Sequence, residues 1–299
     1  MEKINMLGTG SAMVTKCYNT CFTISNNDEY FLVDCGGGNT ILTNLEKSGI
    51  TINKIHNMFI SHNHNDHVLG SIWIIRAVCN NILNGKYEGN LNIYCHQSSI
   101  DAIKGISFYV LQNKFTKLFD NRILFIPINN GDETKILGRK TIFFDIKSTK
   151  QLQHGFKTYL LNGKSLTFLG DEPYREYVKD YCINTDYLMH EAFCSYEDRE
   201  IFKPYEKHHA TSKDACENAA KLNVGTVILY HAEDKNLAKS GPPVKRVVCS
   251  APIRLWYWLC YSHTETGLPT AYFYMLHLKG ALFFASFYRL ARKRVNIFF

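Results

Sequence analysis

The sequence predicts an α/β sandwich whose functional site lies where strands end. Three observations carry this. Apolar runs of strand length alternate with helically spaced segments along most of the chain. Several polar residues able to do chemistry fall just past strand ends, among them Asp171, His209 and His231. One such junction, His62-Asn63-His64-Asn65-Asp66-His67, holds three histidines and an aspartate within six positions.

The elements follow in order. Residues 3–8 read as a first strand, and Gly8-Thr9-Gly10-Ser11-Ala12 as a tight turn. That turn lacks Gly-Lys-Ser/Thr and a following helix, which excludes a phosphate loop. Residues 21–25 and 29–34 alternate around Asn26-Asn27-Asp28, a hairpin signal. The second of them leads into Asp34-Cys35-Gly36-Gly37-Gly38. Residues 39–49 show helical spacing and stop at Gly49. Residues 55–60 form a buried strand that delivers the histidine cluster, and 68–79 a helix whose Gly70 permits close packing. A strand over 91–95, a short helix over 99–105, and strands over 122–128 and 141–146 come next. Asn162-Gly163, between 156–161 and 165–169, is the strongest hairpin signal in the chain. A strand over 187–189, a helix over 211–222 and a strand over 227–230 complete the pattern.

The chain has 299 residues, enough for one large domain, with 45% hydrophobic and 20% charged residues. None of its ten cysteines forms a Cys-x-x-Cys pair, which excludes a zinc ribbon and a thioredoxin-like motif. The amino terminus has no basic segment followed by an apolar stretch, so a cytoplasmic protein with free thiols is expected. The net charge of +7 comes from residues 241–299, where eight Lys or Arg face one acid; residues 1–240 are neutral overall. The total charge therefore says almost nothing about a nucleic-acid partner.

The histidine cluster is metal chemistry. Neutral imidazole and carboxylate are good zinc ligands. One metal would take His62 and His64, and a second Asp66, His67 and His231, with Asp171 placed to bridge them. Two metals about 3.5–4 Å apart clamp a hydroxide and the leaving oxygen of a displacement.

With these pieces in place, the chain resembles the metallo-β-lactamase superfamily and, within it, the ribonuclease Z-like branch. The matching segments are Leu7-Gly8-Thr9-Gly10-Ser11-Ala12, Asp34-Cys35-Gly36-Gly37-Gly38, Ser61-His62-x-His64-x-Asp66-His67, Gly170-Asp171, Glu191-Ala192, His209-Ala210-Thr211 and the strand ending at His231. The resemblance implies an αββα sandwich with a two-zinc site at one edge. It implies His62, His64, Asp66, His67, Asp171 and His231 as metal ligands. His209 matches a histidine that assists the leaving oxyanion, with Glu191 as its orienter. It also makes a homodimer plausible.

Two departures bear on function. The family carries a further histidine on the first metal, before Asp171. Here that ligand is either His154 or absent, and the natural position at the end of strand 143–146 falls on Lys147 or its neighbours. One zinc is the alternative to two. The long arm with which bacterial ribonuclease Z enzymes grip transfer RNA also has no room between His154 and Asp171.

Residues 1–240 are thus read as a hydrolase domain and 241–299 as an atypical aromatic, basic tail. The tail is expected to be frameshifted, poorly ordered or, over 268–290, a marginal membrane segment; interrupting polar residues argue against a membrane partner. The expected function is metal-dependent hydrolysis of a small phosphodiester or RNA-like substrate. The alternatives are a hydrolase of another ester class, a metal-binding protein with impaired or no catalysis, and an RNA-binding module using the tail.

Overall fold

The computed structural model describes residues 2–234, 244–250, 254–259 and 297–298. Six strands build most of the first sheet: β1 (Lys3–Gly8), β2 (Cys21–Asn26), β3 (Glu29–Val33), β4 (Ile55–Phe59), β5 (Leu91–Cys95) and β6 (Ile123–Pro127). The second sheet holds β7 (Glu133–Ile136), β8 (Arg139–Asp145), β9 (His154–Tyr159), β10 (Ser165–Phe168), β11 (Tyr187–Glu191), β12 (Thr226–Tyr230), β13 (Val244–Ser250) and β14 (Arg254–Leu259). A short β15 (Ile297–Phe298) pairs with β1 at the edge of the first sheet. The expectations for residues 241–299, including the membrane reading of 268–290, lie outside the described residues apart from the backbone pairing of these last three strands. No helix among the described residues is long and apolar enough to cross a membrane.

Among the described residues, four helices longer than a single turn flank the sheets: α1 (Thr40–Lys47), α2 (Asn65–Leu83), α3 (Gln97–Val110) and α4 (Ser212–Lys221). Three apolar layers result. One joins α1, α2 and α3 to the outer face of the first sheet through Ile41, Ile75, Ile103 and Met58. A second lies between the sheets and is largely aromatic, with Phe22, Phe31, Phe59, Phe143, Phe156 and Phe168. The third packs Ala215, Ala219 and Leu222, from α4 and its end, on Val227 and Leu229. Strand periodicity explains the division: in β12, Val227 and Leu229 face α4 while Ile228 and Tyr230 face the other sheet. The layers run αββα, as the resemblance implies.

Most elements lie where the sequence places them, with three differences. Helix α2 starts at Asn65, not Val68, so Asp66 and His67 sit in its first turn and not in a loop. An acid there complements the helix dipole. Helix α3 runs past Gly105 to Val110, because Ile100, Ile103 and Ser107 give it a continuous buried face. Strand β7, with the sequence Glu-Thr-Lys-Ile, has too little apolar signal to be read as a strand and forms by pairing with β8.

The two sheets meet at one edge. Ser11 N–H donates to Ala232 O at 3.0 Å, and His154 N–H donates to Ser61 O at 3.0 Å. The ends of β3, β4, β10, β11 and β12 converge beside these bonds. Gly70 lets α2 approach: a Cβ there would meet Cys35 O at 1.9 Å, and its own N–H bonds Gly36 O at 2.8 Å. Gly70→Ala is expected to push α2 away and cost about 1–3 kcal/mol or more, measured as a lower thermal midpoint.

Candidate metal centre

Asp66, His67 and His231 converge on one point. His67 Nε2 lies 3.4 Å and His231 Nε2 3.6 Å from Asp66 Oδ2, and the three ligand atoms fall within 4.8 Å of one another. All three atoms are buried and none has a hydrogen-bond partner. Unpaired buried polar atoms cost about 1–3 kcal/mol each, so three aimed at one point mark a place for a ligand.

The other nitrogen of each histidine is held by a carboxylate. His67 Nδ1 lies 2.9 Å from Asp34 Oδ2, and His231 Nδ1 lies 2.7 Å from Asp171 Oδ1. Asp34 is fixed in turn by Ser61, whose N–H and Oγ–H each donate to it at 2.8 Å. A carboxylate on one ring nitrogen sets the tautomer and aims the other nitrogen at a cation. Both orienting arrangements use left-handed backbone, at Asp34 (φ 52°) and His231 (φ 61°), strain of the kind that collects at functional sites. Charge agrees. Burial opposes ionisation of Asp66, yet His67 and then His231 outweigh it and hold its carboxyl below the usual range. Burial likewise opposes ionisation of Asp171, and His231 and His209 outweigh it, so its carboxyl is also low. The donor set of two imidazoles and a carboxylate fits zinc with a fourth position open.

The other half differs. His62 Nε2 and His64 Nδ1 lie 2.9 Å apart and engage each other, and they are 3.9 and 4.0 Å from Asp171 Oδ2. Burial, then His67, holds His62 well below its ordinary pKa. A grouping of His62, His67 and Asp171 also falls within 4.8 Å. It needs the same His67 Nε2, however, since Asp34 occupies Nδ1. The lysine that enters this half is Lys150 and not Lys147. Lys150 Nζ donates to Asp171 O at 2.7 Å and to Asp171 Oδ2 at 3.3 Å, and is 4.0 Å from Glu172 Oε1. Lys147 sits in a left-handed turn (φ 58°) just past β8, its N–H tied to Asp145 Oδ1 and its exposed ammonium 3.8 Å from Asp145.

His154 opens β9 and belongs to neither ligand group among the described residues. Its ring stacks on His96 with centroids 5.6 Å apart and 12° between planes. Burial, with Asp145 opposing and His96 assisting, pushes its pKa down to about 4.

His209 faces the centre from the segment before α4. Its Nδ1 is 3.4 Å from Glu191 Oε2 and 3.5 Å from Asp171 Oδ1, and its ring stacks on Phe193 at 4.8 Å. Glu191 is buried, and its other oxygen accepts the Ala210 N–H. Burial raises the Glu191 carboxyl to about 7 and lowers His209 to about 4. The eight residues other than His154 expected at a site thus lie together at one edge of the sandwich.

Sequence reasoning missed Asp34 as an orienting carboxylate, although its place at a strand end before three glycines was a usable signal. Lys150 carried no signal, since it sits in an aperiodic polar loop.

Comparisons with known proteins identify the family and the fold. The family model described as "Anti-Pycsar protein Apyc1" matches residues 2–241. A ribonuclease Z of Methanococcus aeolicus is 26% identical over 279 residues, an alignment covering 77% of this chain and 84% of that protein. Human tRNase Z, short form, has a TM-score of 0.61 at 19% identity, covering 78% of this chain and 93% of that one. The metallo-beta-lactamase fold protein YhfI from Bacillus subtilis gives 0.62 at 19% identity, covering 80% and 91%. The fold is the metallo-β-lactamase sandwich.

Proposed function

Because this chain belongs to the Anti-Pycsar protein Apyc1 family and is a ribonuclease Z-like metallo-hydrolase, we propose that it hydrolyses phosphodiester bonds with zinc held by Asp66, His67 and His231. The observation that carries the reading is the convergence of three buried, unpartnered ligand atoms, two of them on carboxylate-oriented histidines. Zinc there would supply Lewis acidity and a nucleophilic water at neutral pH. Asp34 and Asp171 hold the two imidazoles in the right tautomer. His209, kept neutral by burial, would offer an imidazole N–H as a hydrogen-bond donor toward a leaving oxygen, with Glu191 Oε2 3.4 Å from its Nδ1.

A small phosphodiester is favoured over a long RNA. The stretch between His154 and Asp171 is filled by the β9–β10 hairpin, whose strands pair from Phe156–Phe168 to Tyr159–Ser165, leaving no arm to grip a folded RNA. Residues 1–240 carry no net charge with which to attract one. The test is hydrolysis of bis-p-nitrophenyl phosphate before and after chelation. Turnover should vanish with the metal and return with zinc. Turnover that persists in demonstrably metal-free protein, or its absence in zinc-loaded protein, overturns the proposal.

A further inference from the structure

The two halves of the centre are not equivalent. On one side, Asp66 Oδ2, His67 Nε2 and His231 Nε2 are buried and unpartnered. On the other, His62 Nε2 lies 2.9 Å from His64 Nδ1 and Asp171 Oδ2 accepts from the Lys150 ammonium, while His154 Nδ1, buried without a hydrogen bond, belongs to a ring stacked on His96 and outside both ligand groups. An ammonium has three donors and no lone pair, so it cannot ligate a metal, and it repels a dication. The Lys150 side chain is mostly buried and fixed at two points, on Asp171 O and Oδ2, with Glu172 nearby. Glu172 is itself fully buried and holds Ser148 Oγ–H and Arg175, so the Lys150 loop is anchored from both sides.

We propose that this chain works with a single divalent cation, at Asp66, His67 and His231, and that the Lys150 ammonium takes the place of a first metal beside His62, His64 and Asp171. The inference rests on the metallo-hydrolase reading above and deepens it. A fixed monovalent cation would neutralise Asp171 and face a substrate phosphate from the side a second metal would otherwise occupy. His62 and His64 then act as hydrogen-bonding groups lining the pocket, not as ligands. The family resemblance implies a metal in that half, and the residues present there do not fit one.

The experiment counts metal. The protein is loaded with excess zinc, dialysed against metal-free buffer, and zinc per chain is measured by elemental analysis. Cobalt(II) titration, followed by visible absorption, gives a second count. The expected value is one ion per chain for the unaltered protein and for Lys150→Arg, which keeps the charge. Lys150→Met keeps the stem and removes the charge, and is expected to hold two ions, with a second cobalt step of distinct absorption. Melting temperature shows that each variant is folded. Two tightly held ions in the unaltered protein overturn the proposal, as does one ion in folded Lys150→Met. The count is independent of turnover. Two ions with phosphodiesterase activity would remove this inference and leave the proposed function standing, and one ion without such activity would do the reverse.

Discussion

Asp66→Ala is expected to leave the protein folded, empty of metal and inactive on phosphodiesters. Asp66 supplies the only carboxylate oxygen among the three converging ligand atoms. Without it two imidazoles remain, and a three-ligand site becomes a weak chelate. Removing a residue that merely orients a ligand typically weakens metal binding about 10–100-fold. Removing a ligand itself is expected to exceed that, so zinc should be lost on dialysis and turnover should fall to background. Unfolding would not be the cause. The lost interaction with the start of α2 is worth about 0.3–1 kcal/mol, and relief of a buried carboxylate partly offsets it. Asp34→Asn provides the graded comparison: it keeps size, weakens the hold on His67 Nδ1, and should fall in the 10–100-fold range. Metal content after dialysis and the melting curve in chelator are the two measurements. Full turnover with a zinc still bound in Asp66→Ala would sink the assignment of that half.

What could be read from the sequence was whatever is local or repeated. His62, His64, Asp66 and His67 fall within six positions, so their chemistry shows without a structure. Asp171 and His231 show because each follows an apolar strand, and the sandwich gathers strand ends at one edge. The hairpin around Gly163 (φ 83°) is legible because Asn-Gly fits its turn. Residues whose role depends on distant partners were not legible. Asp34 matters through Ser61 and His67, about thirty positions away, and reads locally as the start of a glycine turn. Lys150 reaches Asp171 from a loop with no period, and strand-end counting pointed to Lys147 instead, which the left-handed turn sends into solvent. His154 was singled out as the histidine nearest the right place in sequence. In space its ring stacks on His96, and the ammonium of Lys150 stands beside Asp171. The start of α2 was misplaced for a related reason. Asn65-Asp66-His67 has the composition of a polar loop, and what makes it helical is the apolar face from Val68 onward, packed against the first sheet.

Arg139→Met is expected to destabilise the fold by about 3–5 kcal/mol while leaving the metal count unchanged. Arg139 begins β8, at the end of that strand opposite the one beside the metal centre, and is 2% exposed. Its Nε donates to Glu2 Oε1 at 2.5 Å and its Nη2 to Ser25 O at 2.6 Å, tying the second sheet to β1 and β2 of the first. The second Glu2 oxygen accepts the Leu161 N–H at 2.8 Å. Truncating the arginine strands a buried carboxylate and a buried carbonyl, and that uncompensated charge is the main cost. The sign of a double change follows. Glu2→Met with Arg139→Met removes both charges and should recover a large part of the loss, since a buried ion pair contributes little net stability over an apolar pair of similar volume. Denaturant midpoints of the two single variants and the double variant give the coupling directly. If the double variant is as unstable as the sum of the singles, the pair is not coupled and the cost lies in packing. Because this clamp sits at the end of β8 opposite the one nearer the proposed zinc ligands, loss of stability without loss of metal separates the scaffold from the centre it positions.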